Sequence, residues 1–121
     1  MTEKEIFIEK VKKRTKKFAV DVILFCNTLK TCKASDVITY QLVKSATSVG
    51  ANYRSACRGR SKAEFYSKIC IVVEEADESE YWLEVIDDTK LSTNQNELDR
   101  LLKEANEITK IMSTAKANTY K

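Results

Sequence analysis

Residues 41–65 read QLVKSATSVGANYRSACRGRSKAEF, a stretch that combines small side chains, a turn and a basic cluster. Between residues 45 and 56 nearly every side chain is short, so a helix over this segment lets neighbouring backbones approach closely. Gly59 then marks a turn, and Ser61 with Glu64 forms an S-x-x-E capping box, which is typical of a helix start. The stretch therefore predicts two helices in an antiparallel hairpin.

The composition predicts a single all-α domain over residues 1–121. The chain has no proline and only two glycines, while 32% of its residues are charged. Folds rich in strands need far more turn residues than this. A chain of this length buries one core but not two.

Apolar or small residues recur at alternating spacings of four and three, as in helices that pack nearly parallel in a bundle. We call this line of recurring residues the seam, and it predicts helices over about residues 3–29, 36–58, 62–87 and 95–116. Short connections between them give an antiparallel up-down-up-down four-helix bundle. The predicted inward residues are Val11, Thr15, Phe18, Val22, Phe25 and Leu29, then Ile38, Leu42, Ser45, Val49, Asn52 and Ala56, then Phe65, Ile69, Val72, Ala76, Ser79, Leu83 and Ile86, and finally Leu98, Leu101 or Leu102, Ala105, Ile108 and Met112.

The third helix carries five consecutive apolar residues, from Ile69 to Val73. A helix in an isolated bundle keeps a polar face, so a helix that is apolar all round is buried on a second side. We therefore expect Ile69, Ile71 and Val73 to form a self-association surface and the chain to be a homo-oligomer.

Polar residues within the second and third helices suggest structural roles. Asn52 falls on the seam, where it either fixes the register or belongs to a hydrogen-bonded site. The hairpin brings Lys44 opposite the third helix, which predicts an ion pair with Glu78 or Glu75. Trp82 is expected to be a packing residue.

Basic residues are concentrated in the first half of the chain and acidic residues in the second half. Residues 1–68 hold fifteen Lys and Arg against six Asp and Glu, whereas residues 69–121 hold six against twelve. The basic residues that we select as nucleic-acid contacts are Lys12, Lys13, Arg14, Lys16 and Lys17 in the first helix and Arg54, Arg58, Arg60 and Lys62 around the turn. Because Tyr53 and Tyr66 lie among the latter, phosphate contacts and base stacking are both available. For the lysines of the first helix, a solvated face remains the alternative.

Catalysis and metal binding lack the residues that they need. The chain has no histidine and no glycine-rich phosphate loop, so we expect no enzyme activity and no cofactor. The four cysteines have no C-x-x-C spacing, which argues against a metal site and favours reduced core thiols. With no leader peptide and no apolar run of about 20 residues, we expect a cytoplasmic protein without a membrane contact.

Three ordered segments carry a resemblance to a known family. They are residues 41–54 (QLVKSATSVGANYR), 61–65 (SKAEF) and 75–83 (EADESEYWL). They resemble the four-helix bundle proteins encoded in intervening sequences of bacterial 23S ribosomal RNA genes. The same bundle family includes the accessory variability proteins of diversity-generating retroelements, which form pentameric barrels with a basic surface and associate with a reverse transcriptase and nucleic acid.

The resemblance implies a homopentamer. Glu75, Glu78 and Trp82 match the family pattern, whereas Lys44 stands where arginine is common and Ser55 where a glutamate usually follows. The family ion pair that involves this glutamate is therefore lost or replaced here.

The leading hypothesis is a non-enzymatic homo-oligomeric bundle that binds RNA or DNA through its basic surface, as a ribonucleoprotein scaffold. The alternative is a protein-interaction module that docks a partner such as a reverse transcriptase. A third reading is an assembly of a mobile element that serves no role for its host.

Overall fold

The computed structural model describes residues 1–121 as four α-helices without a β-strand. The helices are α1 (Glu3–Cys26), α2 (Lys33–Cys57), α3 (Lys62–Asp88) and α4 (Gln95–Asn118). Each helix contacts the next one along the chain, and α1 also contacts α4, so the four close into a bundle. The predicted all-helical fold is confirmed. None of the helices has the length and apolar character that crossing a bilayer requires.

Each helix begins at a side chain that accepts a hydrogen bond from an amide of the first turn. These capping residues are Thr2, Cys32, Ser61 and Asn94. Helix α2 begins three residues earlier than predicted, because Cys32 is the cap and its Sγ accepts from the Ser35 amide at 3.4 Å. Ser35 itself is buried inside the first turn.

The α1–α2 and α3–α4 connections meet at one end of the bundle, here called the loop end. Helix α1 stops three residues before the predicted residue 29, although Leu29 remains buried in the turn. The Lys30 amide donates to the Leu91 carbonyl at 3.0 Å, and the Thr93 hydroxyl donates to the Thr28 carbonyl at 2.8 Å. The opposite end, here called the hairpin end, holds the α2–α3 turn, the start of α1 and the end of α4.

The core follows the predicted seam except at Phe65, which is half-buried against it, and at Asn52. Asn52 is only partly buried, and its amide donates to the Ser48 carbonyl at 2.9 Å. Tyr53 takes the inward position and is 4% exposed. The assignment of Asn52 to the core is therefore wrong, because a local bond within α2 satisfies its amide at the surface.

Small residues of α2 let two neighbouring helices approach closely. A Cβ on Gly50 would lie 3.3 Å from Oγ1 of Thr15 on α1. On the other side, the Ser79 hydroxyl of α3 lies 2.9 Å from the Ser45 hydroxyl, and both side chains are fully buried. These two contacts hold α2 against α1 and α3.

Part of the apolar run of α3 packs inside the bundle. Ile69 and Val72 are fully buried, and Val73 packs against the core. Ile71 and Cys70 are half-buried within the single chain, so the self-association surface expected there stays a prediction. Large apolar side chains that face solvent within the helices lie on α1 (Ile6, Phe7, Val20, Ile23 and Leu24), on α2 (Val37 and Tyr40) and on α3 (Tyr81).

The predicted ion pair of Lys44 is absent. Lys44 is exposed and lies within 4 Å of no carboxylate oxygen. Glu78 instead accepts a hydrogen bond from Nε1 of Trp82 at 3.2 Å, and Trp82 packs partly against the core as expected. Glu75 is half-buried beside Ser48. Its pKa is raised above the ordinary value, first by burial and then by the charge of Glu78.

Glu75→Gln is expected to stabilise the protein at neutral pH by less than about 1 kcal/mol, because it removes a half-buried charge and keeps an acceptor for Ser48. A raised carboxyl pKa makes the ionised form destabilising above that pKa, so the gain should vanish once the pH falls below the ordinary value of the group. Urea denaturation at several pH values measures it. The control is Glu74→Gln, at an exposed neighbour; equal gains from both variants would contradict the role of burial.

Candidate nucleic-acid interface

A groove lies on the outer face of the α2–α3 hairpin, with a volume of about 930 Å³. Its floor is made of small residues from both helices, and its walls carry charged side chains. The floor residues are Ala51, Ser55, Gly59, Ala63 and Ser67, and the charged residues are Arg54, Arg58, Lys68 and Glu64. We call this set the basic groove.

The α2–α3 turn fixes the shape of the basic groove. A Cβ on Gly59 would lie 3.0 Å from the Ala56 carbonyl oxygen, so only glycine fits without a shift of the backbone. The Ser61 hydroxyl accepts from the Glu64 amide at 3.1 Å, as the capping-box pattern predicts. The carboxylate of Glu64 accepts from the Arg60 amide rather than from Ser61. The Glu64 carboxylate therefore stabilises the turn, and it is the only acidic side chain that lines the groove.

The basic side chains of the groove have no ionic partner within the chain. Arg54, Arg58 and Lys68 each lie beyond 4 Å of every carboxylate oxygen. Arg54 and Arg58 are exposed, one helical turn apart on α2. Their charges are therefore available to an anionic ligand.

Because the charged residues are unevenly distributed along the sequence, the two ends of the bundle carry net charges of opposite sign. The helix halves nearest the hairpin end are residues 1–14, 46–74 and 106–121, which hold thirteen Lys and Arg against six Asp and Glu. The halves nearest the loop end hold eight against twelve. The hairpin end thus carries the positive potential that would attract an anion to the basic groove.

Most of the selected basic residues of α1 serve the bundle itself. Arg14 donates to Glu104 of α4 at 2.6 and 2.8 Å and lies 3.2 Å from a Glu107 oxygen. The hydrogen bond that Arg14 donates to Glu104 raises the pKa of Arg14, although burial opposes the shift. Lys17 pairs with Asp21 at 2.6 Å and Lys12 with Glu9 at 3.5 Å.

The remaining selected residues lie in three places. Lys13 and Lys16 are exposed on α1 without an ion pair, away from the basic groove. Arg60 is exposed at the turn. Lys62 lies on the other side of the turn, in a second cavity. Of the selected basic residues, only Arg54 and Arg58 line the basic groove. Lys68, which the sequence analysis did not select, lines it as well.

This second cavity, called the end pocket, lies where all four helices meet at the hairpin end and measures about 500 Å³. Apolar and aromatic side chains provide most of its lining, and two lysines accompany them. Its lining includes Phe7, Ile8, Tyr53, Ala56, Cys57, Phe65 and Ala115, with the lysines Lys4 and Lys62 and the polar residues Ser61, Asn118 and Thr119. Gly59 belongs to both cavities.

The four thiols are free, but only Cys26 is a core residue. Burial raises the pKa of Cys26 to about 11. Cys57 and Cys70 are half-buried. Cys32 is exposed, and the hydrogen bond from the Ser35 amide lowers the pKa of its thiol. The prediction of core thiols is therefore confirmed only at Cys26, and Cys32 departs furthest from it because this cysteine caps a helix.

The chain contains no group of three or more Cys, Asp or Glu side chains placed to hold a metal ion. The acidic residues of α3 instead spread along and around the helix: Glu75 and Glu78 lie towards α2, while Glu80 accepts from the Asn106 amide of α4 at 3.2 Å.

Comparison with known proteins gives a consistent result. A family model described as "23S rRNA-intervening sequence protein" matches residues 9–114. A similar solved structure is that of a protein of unknown function from the S23 ribosomal protein family of Bacteroides thetaiotaomicron. The two share 31% sequence identity and a TM-score of 0.82, over 92% of this chain and 98% of the other. No curated protein matches the chain.

Proposed function

The chain belongs to the 23S rRNA-intervening sequence protein family, and from this premise we propose that it is a non-enzymatic, homo-oligomeric bundle that binds RNA or DNA. The family description links these proteins to ribosomal RNA genes. The proposed ligand-binding surface is the basic groove at the hairpin end.

One observation carries the proposal. Arg54, Arg58 and Lys68 line a groove in which no carboxylate pairs with them. Cations in such a position neutralise phosphates and release counterions, which is the main source of affinity for nucleic acid without sequence preference. The small floor residues supply few groups that reach base edges, so the contacts are to the phosphate backbone.

We further propose that the chain assembles into a homo-oligomer, with five copies as the resemblance implies. Exposed apolar residues such as Leu24 on α1, at 59%, and Tyr40 on α2, at 64%, support association through these two helices. An assembly would place several basic grooves on one strand and raise its avidity, as a ribonucleoprotein scaffold requires.

The double variant Arg54→Glu/Arg58→Glu is expected to weaken binding to a labelled RNA or DNA strand at least tenfold. Each lost phosphate contact should also reduce the slope of log affinity against log salt by about one, so the pair reduces it by about two. Fluorescence anisotropy at several salt concentrations measures both values, and light scattering of the same samples gives the number of chains per particle.

The matched control is Lys30→Glu/Lys33→Glu, which changes the net charge equally at the exposed loop end. This control should bind nearly as well as the wild type. If the Arg54 and Arg58 variant kept both its affinity and its salt slope, nucleic-acid binding through the groove would be wrong, and the groove would become a candidate surface for a protein partner.

A further inference from the structure

The end pocket opens directly beside the basic groove. Gly59 lines both cavities, so the α2–α3 turn is the only ridge between them. A strand whose phosphates lie along Arg54 and Arg58 therefore reaches the end pocket by crossing this turn. The absence of a side chain at residue 59 keeps the ridge low.

The lining of the end pocket suits a flat aromatic group. Phe7 is 53% exposed although it lines the cavity, and Phe65 lies in the lining with one side packed against the core. An aromatic ring that is open on one side stacks on any nucleobase, because every base has a π-face. A volume of about 500 Å³ lies within the range of pockets that hold small organic molecules.

The charges around the end pocket match a nucleotide rather than a neutral apolar group. Lys4 and Lys62 come from different helices and both line the cavity. These two lysines supply cations beside the cavity for the phosphates that flank an inserted base. Asn118 and Thr119 add polar groups to the lining that could pair with a base edge.

We propose that the end pocket takes an unpaired base of a strand whose phosphates occupy the basic groove, so that the ligand is single-stranded nucleic acid. This inference rests on the proposed function. A base within a duplex is paired and stacked between its neighbours, and removing it costs free energy that a single strand does not have to provide. The bundle should therefore prefer single strands to duplexes of the same length.

The test uses the full chain with a single strand and the corresponding duplex at one salt concentration. We expect the single strand to bind at least tenfold more tightly than the duplex. Phe7→Ala should weaken binding of the single strand about five- to twentyfold and leave the duplex unchanged. A 2-aminopurine base in the strand should change its fluorescence on binding the wild type, and this change should be lost with Phe7→Ala.

Tyr81→Ala is the matched control, because Tyr81 is an aromatic residue of α3 that is 56% exposed and does not line the end pocket. It should bind both ligands as the wild type does. Equal affinities for single strand and duplex, or no effect of Phe7→Ala while the Arg54 and Arg58 variant still loses binding, would overturn this inference and leave the proposed function intact. Failure of the wild type to bind any nucleic acid would overturn both.

Discussion

Leu83→Ala is expected to lower the free energy of unfolding by about 3 kcal/mol. Leu83 lies on the inward face of α3, five residues before the helix ends at Asp88, and is fully buried. Truncation loses the transfer free energy of its apolar atoms and leaves a cavity that the rigid helices only partly close. Urea denaturation followed by circular dichroism measures the change as a lower midpoint with an unchanged slope.

Leu24→Ala is the matched control, since it makes the same chemical change at a side chain that is 59% exposed. Its cost should stay within about 0.5 kcal/mol when the protein is dilute enough for the assembly to dissociate. If Leu24→Ala cost as much as Leu83→Ala, Leu24 would have to be buried in the folded protein in solution. A dependence of the loss on protein concentration would then locate the contact between copies of the chain.

The seam of small and apolar residues made the fold predictable. Burial in a helical bundle follows the helical period, so spacings of four and three identified inward residues such as Phe18, Leu42 and Ile108 without knowledge of their partners. The absence of proline and the scarcity of glycine had already excluded a sheet. Helix bounds were less accurate, because the start of α2 depends on the side chain of Cys32, a residue type that rarely caps a helix.

The errors inside the bundle have a common origin. Seam positions one residue apart differ by about 100° around a helix, and the sequence does not show which of Asn52 and Tyr53 the neighbouring helices cover. The close contact between Gly50 and Thr15 places α1 against one side of α2, and Tyr53 is the residue that is buried. For α3, the sequence does not show that Ile69 is fully buried within the single chain whereas Ile71 and Val73 are half-buried.

The candidate site was only partly predictable. Arg54 and Arg58 stood out because they surround a turn, and their free charges agree with that choice. Lys68 was missed because it follows the capping box by one turn and joins the groove only when α3 folds back on α2. For Arg14 the decisive residue is Glu104, which lies 90 positions away in the sequence. Charge counts alone cannot separate a paired arginine from a free one.

Ser79→Asp is expected to destabilise the bundle by about 3 to 5 kcal/mol, which would leave little or no folded protein if the wild type has ordinary stability. Ser79 is fully buried between α2 and α3, and its only neighbour with a hydroxyl is Ser45 at 2.9 Å. An aspartate there would carry a charge into the core with no cation to pair with it. Thermal and urea denaturation of the variant, compared with the wild type, measure the loss.

Ser79→Ala separates the cost of the buried charge from the loss of the hydroxyl contact. It should cost only about 1 kcal/mol or less, because the Ser45 hydroxyl still donates to the Leu42 carbonyl at 3.1 Å and is not left without a partner. The two variants together test whether α2 and α3 really meet at this point. If Ser79→Asp were tolerated as well as Ser79→Ala, water would have to reach residue 79, and the close contact of α2 and α3 at Ser45 and Ser79 would be wrong.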